Sequence, residues 1–299
     1  MRAEDYTIFE YRAGKDAKFA ELVREERVHG NYQRISYRTK DCGYVDGYAY
    51  RPEGSEGETL PVVFDFHGGG FVLGYCEQDA FACRRLAERV HAVVVNVDYP
   101  LAPEYPYPLP IEATYEYLQA VLADADVWGI DANNVQLIGH SAGGYLTCAL
   151  CVYDHERGSV LGLRGAVADY PVVKQYLDST MRVAKDQTKA ISLDRMTQYT
   201  NWMFHDLSRI DEPVASPLEA DPACFPRLLV VGAEYDALAT DEERLVRKVA
   251  EAGGDATFRL FEGRRHGFTH PCFEDEYDEK AADEAWELMG SFLAENAAR

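Results

Sequence analysis

A serine within a run of glycines is the first feature of this sequence that could carry chemistry. Residues 135–144 read VQLIGHSAGG, and Ser141 occupies the centre of a G-x-S-x-G motif. An apolar run precedes the motif and a helical pattern follows it, which is the context of a sharp strand-to-helix turn. Glycines two residues before and after the serine leave room for neighbouring backbone. The pattern predicts that Ser141 is a nucleophile, although an ordinary glycine-rich turn would give the same motif in isolation.

A second run of glycines lies upstream, where residues 67–71 form HGGGF directly after an apolar run. Successive glycines leave backbone N–H groups unshielded. A flexible loop or a phosphate-binding turn is the alternative, but no G-x-G-x-x-G and no Gly-Lys-Ser/Thr follows. The N–H groups of Gly69 and Gly70, with that of Ala142 after the serine, are therefore expected to form an oxyanion hole.

An acid and a base follow the serine in the chain order that this kind of site requires. Asp236 lies in GAEYDAL after one apolar run, and His266 lies in EGRRHGF after the next. We expect His266 to take the proton of Ser141 and Asp236 to hold the imidazole in the correct tautomer. Glu234 is the alternative acid. Weaker alternatives for the base are His205 and His270.

These residue types together favour hydrolysis of small carboxylic esters through an acyl-enzyme on Ser141. Water then releases the acyl group, and the chemistry needs no cofactor and no metal. Cys148 and Cys151 form a C-x-x-C pair, but no second Cys or His pair at metal-ligand spacing accompanies it.

Apolar, β-branched runs alternate with segments of helical period along most of the chain. Such alternation builds a mainly parallel sheet with helices on both faces. Two more polar stretches, 34–38 and 43–51, predict antiparallel edge strands. We therefore expect an α/β fold of about eight strands in one domain over residues 1–299. The predicted buried strands are 61–66, 92–97, 135–138, 165–168, 228–231 and 257–261, and the predicted helices are 79–90, 111–124, 142–153, 241–252 and 277–294.

Two segments, 1–33 and 172–217, do not fit this alternation. The second is an insertion at the carboxyl edge of the predicted sheet, where ligands bind and where lids occur. Its residues Met196, Tyr199, Met203 and Phe204 have helical spacing. The candidates to line a substrate pocket are Phe71 and, from the insertion, Tyr199, Trp202 and Phe204, although packing within the insertion would also explain the last three.

The composition excludes several classes of partner. The chain has 299 residues with 30 basic and 51 acidic side chains, a net charge of −21 that opposes binding to nucleic acid. No stretch approaches the roughly 18 to 20 apolar residues that cross a bilayer, and the acidic first 30 residues lack the apolar core of a secretory signal. Seven scattered cysteines suit reduced thiols. A cytoplasmic location is expected.

Six segments in order resemble the hormone-sensitive-lipase-like (bacterial family IV) carboxylesterases and acetyl esterases of the α/β-hydrolase fold. The resemblance implies a triad of Ser141, Asp236 and His266, and esters with short or medium acyl chains as substrates. It also implies a helical cap built from about 1–33 and 172–217. The matching segments are HGGGF at 67–71, DYPLAPEYPYP at 98–108, GHSAGG at 139–144, SPL at 216–218, EYDAL at 234–238 and HGF at 266–268.

The sequence departs from that family at several positions. The family usually has Asp where His140 stands, Arg where Pro100 stands and Pro where Ala237 stands. His140 also brings formamidase-like and polysaccharide-deacetylating relatives into consideration. The alternatives are thus a formamidase or amidase, a carbohydrate deacetylase, or a non-catalytic ligand-binding protein, and a homodimer is a possible assembly. The proline-rich segment 98–108 is predicted to be a rigid surface loop without chemistry.

Overall fold

An eight-stranded sheet forms the centre of this computed structural model, which describes residues 7–273 and 275–299. Its order is β1-β2-β4-β3-β5-β6-β7-β8; β1, β2 and β4 pair antiparallel, and the remaining neighbours pair in parallel. The prediction of a mostly parallel α/β sheet with an antiparallel edge is confirmed. The strands are β1 (Gln33–Thr39), β2 (Gly43–Tyr50), β3 (Leu60–Phe66), β4 (Val93–Asp98), β5 (Ile130–His140), β6 (Leu163–Asp169), β7 (Arg227–Ala233) and β8 (Ala256–Phe261).

Helices cover both faces of this sheet. Because side chains alternate along a strand, Val62 and Phe64 of β3 join the core with α3, α5 and α7, whereas Val63 joins the core with α2 and α8. None of the described helices combines the length and the apolar character that a bilayer crossing needs. The helices are α1 (Thr7–His29), α2 (Ala80–Val90), α3 (Leu109–Ala123), α4 (Ala125–Trp128), α5 (Ala142–His155), α6 (Leu193–Met203), α7 (Ala239–Glu251) and α8 (Glu279–Ala297).

Some predicted boundaries were wrong. Helix α8 begins at Glu279 rather than at residue 277, because the Asp278 carboxylate accepts the Ala281 N–H at 2.9 Å and caps the helix. Helix α6 ends at Met203, so Phe204 lies in extended backbone beyond it.

The N-terminal segment that the alternation left unassigned contains the 23-residue helix α1. Its sequence has no apolar stripe that could pack against the core, and only Ile8, Phe19 and Glu26 of this helix are buried. Helix α1 contacts the insertion, since the Tyr11 hydroxyl lies 2.7 Å from that of Tyr199. That residues 1–33 and 172–217 act together as a cap stays a prediction, and residues 1–6 lie outside the described part.

Helix α5 approaches strand β3 so closely that there is no room for side chains between them. A Cβ atom at Gly143 would lie 1.8 Å from the carbonyl oxygen of Phe66, and one at Gly139 would lie 2.3 Å from that of Gly143. Both neighbours are backbone atoms of regular elements, which cannot move without displacing the sheet or the helix.

We expect Gly143→Ala to reduce the free energy of unfolding by about 3 kcal/mol or more, because the methyl group overlaps the Phe66 carbonyl group. Urea unfolding measures the change. Gly14→Ala in α1 is the control: its Cβ meets nothing within 4 Å, so it should stabilise the protein by roughly 0.5–1 kcal/mol through helix propensity. Wild-type stability of the Gly143 variant would contradict the close approach.

Candidate active site

Ser141 forms the whole reversal between β5 and α5. Strand β5 ends at the residue before it, helix α5 begins at the residue after it, and its backbone has φ 56° and ψ −112°. Such a conformation costs a residue with a side chain about 1–3 kcal/mol and persists only where neighbours hold it. Here the Ser141 N–H donates to the Asp169 carbonyl oxygen at 2.9 Å, and its own carbonyl oxygen accepts the Tyr145 N–H.

The structure brings His266 and Asp236 to this serine. His266 follows β8, and its Nε2 lies 2.8 Å from the Ser141 Oγ. Asp236 lies between β7 and α7, and its carboxylate is hydrogen-bonded to Nδ1 of His266. Glu234, the alternative acid, points elsewhere: it pairs with Lys185 and accepts a backbone N–H in the loop after β8.

The surroundings of His266 fix its tautomer and its basicity. A carboxylate only accepts hydrogen bonds, so Nδ1 carries the proton that faces Asp236 and Nε2 can accept the hydroxyl proton of Ser141. Burial opposes protonation of the ring. The charge of Asp236 and the hydrogen bond to it outweigh burial and raise the pKa of His266 above its usual value.

The glycine loop after β3 presents unpaired backbone donors near Ser141. Gly69 and Gly70 have φ 129° and 61°, and a Cβ at Gly70 would lie 2.3 Å from the Tyr199 ring, so the sequence must have glycine there. Within residues 7–273 and 275–299 the N–H groups of both glycines donate to no protein acceptor. The Ala142 N–H lies in the first turn of α5, where N–H groups lack intrahelical acceptors. Such an array can bind a negatively charged oxygen.

Two pockets meet at Ser141. The smaller has a volume of about 20 Å³ and includes Phe71 in its wall; the larger has about 260 Å³, and the Tyr199 ring borders both. Trp202 and Phe204, which the sequence offered as lining residues, border neither. Their rings are buried instead against Tyr11 and Tyr107, at centroid distances of 5.6 and 4.9 Å.

Comparison with known proteins identifies the family. A family model described as alpha/beta hydrolase fold matches residues 63–270. The chain belongs to this family, in its hormone-sensitive-lipase-like branch. The versiconal hemiacetal acetate esterase of Dothistroma septosporum is 30% identical over 237 residues, which are 76% of this chain and 72% of that protein.

Solved structures of esterases share the whole architecture of this hydrolase. An esterase of Pyrobaculum calidifontis has a TM-score of 0.85 and 29% identity, covering 98% of this chain and 94% of that one. A thermostable carboxylesterase from a metagenomic library has a TM-score of 0.83 and 29% identity, covering 97% of both chains. The chain is therefore a carboxylic ester hydrolase, as predicted. The roles of its individual site residues stay predictions.

The proline-rich segment of the hydrolase is not the surface loop that was predicted. Tyr99 is buried, its ring stacks on that of His67 at a centroid distance of 4.3 Å, and its hydroxyl donates to the His67 carbonyl oxygen at 2.7 Å. The Ala102 N–H donates to the Phe71 carbonyl oxygen at 2.9 Å. The segment thus packs against the glycine loop 67–71 and is hydrogen-bonded to it. Proline density indicates a rigid backbone but carries no information about burial, so the sequence did not show this role.

A buried polar cluster lies behind the serine of the hydrolase. His140 is 1% exposed, with Nδ1 3.1 Å from an Asp169 oxygen and Nε2 3.3 Å from an Asp65 oxygen. Burial alone would lower the pKa of His140, but the hydrogen bond to Asp169, the close approach of Asp65 and the charge of Asp79 raise it to about 10. Burial, followed by the charge of His140, lowers the pKa of His270 to about 3.

Within the described residues, one group of side chains has the composition of a metal site. Asp79, His140 and His270 are buried and place ligand atoms within 4.8 Å of one another. Most of their ring nitrogens are paired with carboxylates, however: Nε2 of His270 faces Asp79 at 2.9 Å, and Nδ1 of His140 is hydrogen-bonded to Asp169. Nε2 of His140 makes no hydrogen bond and lies 3.3 Å from an Asp65 oxygen. The cluster is therefore organised as a network of hydrogen bonds and ion pairs. Sequence spacing did not reveal it.

We expect NMR titration of the ring nitrogens to give His266 a pKa above 6.5, and Asp236→Asn to lower that pKa, because the largest charge that opposes burial is then removed. The signal is the one that His266→Gln removes. Glu234→Gln is the matched control and should leave the pKa of His266 unchanged. A drop in the Glu234 variant rather than in the Asp236 variant would mean that the acid has been misassigned.

Proposed function

We propose that this esterase cleaves esters of short acyl groups through a covalent acyl-enzyme on Ser141. The observation that carries the proposal is the line of hydrogen bonds from Ser141 Oγ to His266 Nε2, 2.8 Å long, and from His266 Nδ1 to Asp236. Such a line converts a hydroxyl of high pKa into a nucleophile at neutral pH.

The reaction would proceed in two halves. His266 takes the hydroxyl proton of Ser141 as Oγ attacks the ester carbonyl carbon. The oxyanion of the tetrahedral intermediate then accepts hydrogen bonds from the N–H groups of Gly69, Gly70 and Ala142. Each such donor can contribute about 2.7–4 kcal/mol to the transition state. His266 then gives its proton to the departing alcohol oxygen. In the second half, water loses a proton to His266 as it attacks the acyl carbon. The bond from that carbon to Ser141 Oγ then breaks, His266 returns the proton to Oγ, and the carboxylic acid leaves.

The two pockets suggest which part of the ester lies where. The alcohol leaves before water enters, whereas the acyl group stays attached to Ser141 through both halves. The more confined pocket therefore suits the acyl group. A cavity needs about 10–15 Å³ to hold one water molecule, so about 20 Å³ holds a group near the size of a methyl. We infer an acetyl or similarly short acyl group.

The larger pocket suits the alcohol part of the ester. Its volume of about 260 Å³ has room for an alcohol larger than the acyl group, and Tyr11 and Phe19 of α1 form part of its wall together with Tyr199 of α6. We therefore propose that α1 and the segment 172–217 act as the cap over the site. The name of the Dothistroma septosporum relative, an acetate esterase, agrees with a short acyl group on a larger alcohol.

Ser141→Ala should lower kcat/KM for p-nitrophenyl acetate by at least about 10⁴-fold and abolish labelling by a fluorophosphonate, because no other group can form the acyl-enzyme. Mass spectrometry of the labelled peptide identifies the modified residue. Ser208→Ala at an exposed position is the control and should keep both activity and labelling. Hydrolysis that survives in the Ser141 variant would refute the mechanism.

Across p-nitrophenyl acetate, butyrate and octanoate, kcat/KM should fall at least about 100-fold from the first to the last. Met196 borders the smaller pocket, so Met196→Ala should shift the preference toward butyrate. Met203→Ala is the matched control, since it removes the same atoms from the same helix without bordering either pocket at Ser141. A preference for octanoate in the wild type would exclude the acyl assignment. Equal turnover of an N-formyl or aryl amide would favour the amidase alternative.

A further inference from the structure

We propose that His140 is a positioning residue of the reaction, a buried cation that ties the strand ending at Ser141 to the loop that carries His266. The proposal rests on the proposed roles of Ser141 and His266. It assigns a function to one of the residues at which this sequence departs from the family pattern.

The sheet places His140 and its two carboxylates on one face. His140 is the register partner of Asp169 on β6, and Asp65 on β3 is the register partner of Ile138, two residues before His140. Because side chains alternate along strands, all three point to the side of α2 and α8. They form a row at the carboxyl edge of the sheet, directly behind the turn at Ser141.

The geometry favours a positive charge on His140. One nitrogen of a neutral imidazole is an acceptor, and it would be repelled by a carboxylate. Both ring nitrogens of His140 face carboxylate oxygens, Asp169 at 3.1 Å and Asp65 at 3.3 Å, and these three side chains are at most 1% exposed. Nδ1 is hydrogen-bonded to Asp169, whereas Nε2 and the Asp65 oxygen form no hydrogen bond and approach each other as an ion pair, which an imidazolium makes attractive. A buried carboxylate pair without such a cation would be strongly disfavoured.

The network continues from Asp169 into the loop of the base. The same Asp169 oxygen that faces His140 accepts the Thr269 hydroxyl at 2.8 Å, three residues after His266. The Tyr170 hydroxyl is hydrogen-bonded to Nδ1 of His270 at 2.7 Å, and the Tyr170 ring lies 4.7 Å from that of His266. Asp169 also accepts the Ser141 N–H through its backbone. One residue thus holds the nucleophile through its main chain and the base loop through its side chain, and His140 fixes that side chain.

Several titratable groups face these two histidines. Around His140 they are Asp65 of β3, Asp79 before α2, Asp169 of β6 and His270 of the loop after β8. Around His266 burial lowers the pKa, whereas Asp236, then Asp169 and Glu276, raise it. Removing the positive charge of His140 leaves the charge of Asp169, which raises the pKa of His266, without its imidazolium partner, so the negative potential at His266 increases. A merely structural role for His140 would not change the basicity of His266 in this way.

The charge of His140 can be read in the wild-type protein without any activity measurement. In ¹⁵N NMR spectra, both ring nitrogens of the signal that His140→Gln removes should be protonated at pH 7.5. Elemental analysis of the purified protein should find less than about 0.1 metal ion per chain. An unprotonated ring nitrogen, or one tightly bound metal ion per chain, would overturn the proposal, because the cation at this point would then not be the imidazolium.

The kinetic test uses charge balance. His140→Gln should lower kcat about 10- to 100-fold at nearly unchanged KM, as expected for a misplaced reacting group. It should also shift the lower-pH limb of the kcat/KM profile to higher pH by about half a pH unit, because the pKa of His266 rises. Adding Asp65→Asn to that variant should move the limb back toward the wild-type pH. If His140→Gln does not fold, the charge-balanced double variant identifies the His140 signal in the wild-type spectra, and that signal still decides the question.

Two further variants separate position from charge. Thr269→Val removes the tether to the base loop without changing any charge, and it should lower kcat about fivefold with no movement of the limb. Tyr115→Phe is the matched control. It removes a buried hydrogen bond to Asp154 outside the network and should leave kcat unchanged. A His140→Gln enzyme with wild-type kcat and an unmoved limb would refute the positioning role, whereas loss of activity in Ser141→Ala tests the proposed mechanism separately.

Discussion

The contact between helix α5 and strand β3 is the constraint on which the rest of the site depends. Because the backbones touch at Gly143 and Phe66, the chain must reverse within one residue, and that residue is Ser141 at φ 56°. The reversal leaves the serine hydroxyl at the edge of the sheet and starts α5 directly behind it. The same contact places the loop that begins at His67 beside the first turn of α5, so the donors of both elements converge.

Much of this arrangement could be predicted from the sequence, because parallel strands bring their carboxyl ends to one edge of a sheet. Ser141, Asp236 and His266 each follow a strand, and chain order was enough to expect them together. The choice between Asp236 and Glu234 was different. Both follow β7, and only the contact of Glu234 with Lys185 shows that it points away from His266. Spacing along the chain does not encode such contacts.

What the sequence did not predict depends on contacts between distant segments. Helix α1 has three buried residues in 23, so no periodicity marked it. Tyr99 lies in a segment whose prolines suggested exposure, yet its ring lies under His67. Trp202 and Phe204 have the residue types of a pocket wall, but they fill the space between α1, α6 and the proline-rich segment. The residue types of Trp202 and Phe204 predicted that they are buried. Only their contacts with Tyr11 and Tyr107 show that they pack between elements and do not line a pocket.

The residue before the nucleophile illustrates how a local motif depends on the sheet around it. Position 140 is open to many side chains when the G-x-S-x-G pattern is considered alone, but here its row on the sheet also contains Asp65 and Asp169. An aspartate at 140, as in the family pattern, would put three carboxylates in one buried row, where desolvation and mutual repulsion both disfavour their charged forms. The identity of residue 140 is therefore tied to that of residue 65. With Asp at position 65, the positive charge of His140 offsets part of the negative charge of Asp65 and Asp169. It also holds the Asp169 side chain in the position from which it contacts the loop of His266, while the Asp169 backbone binds Ser141.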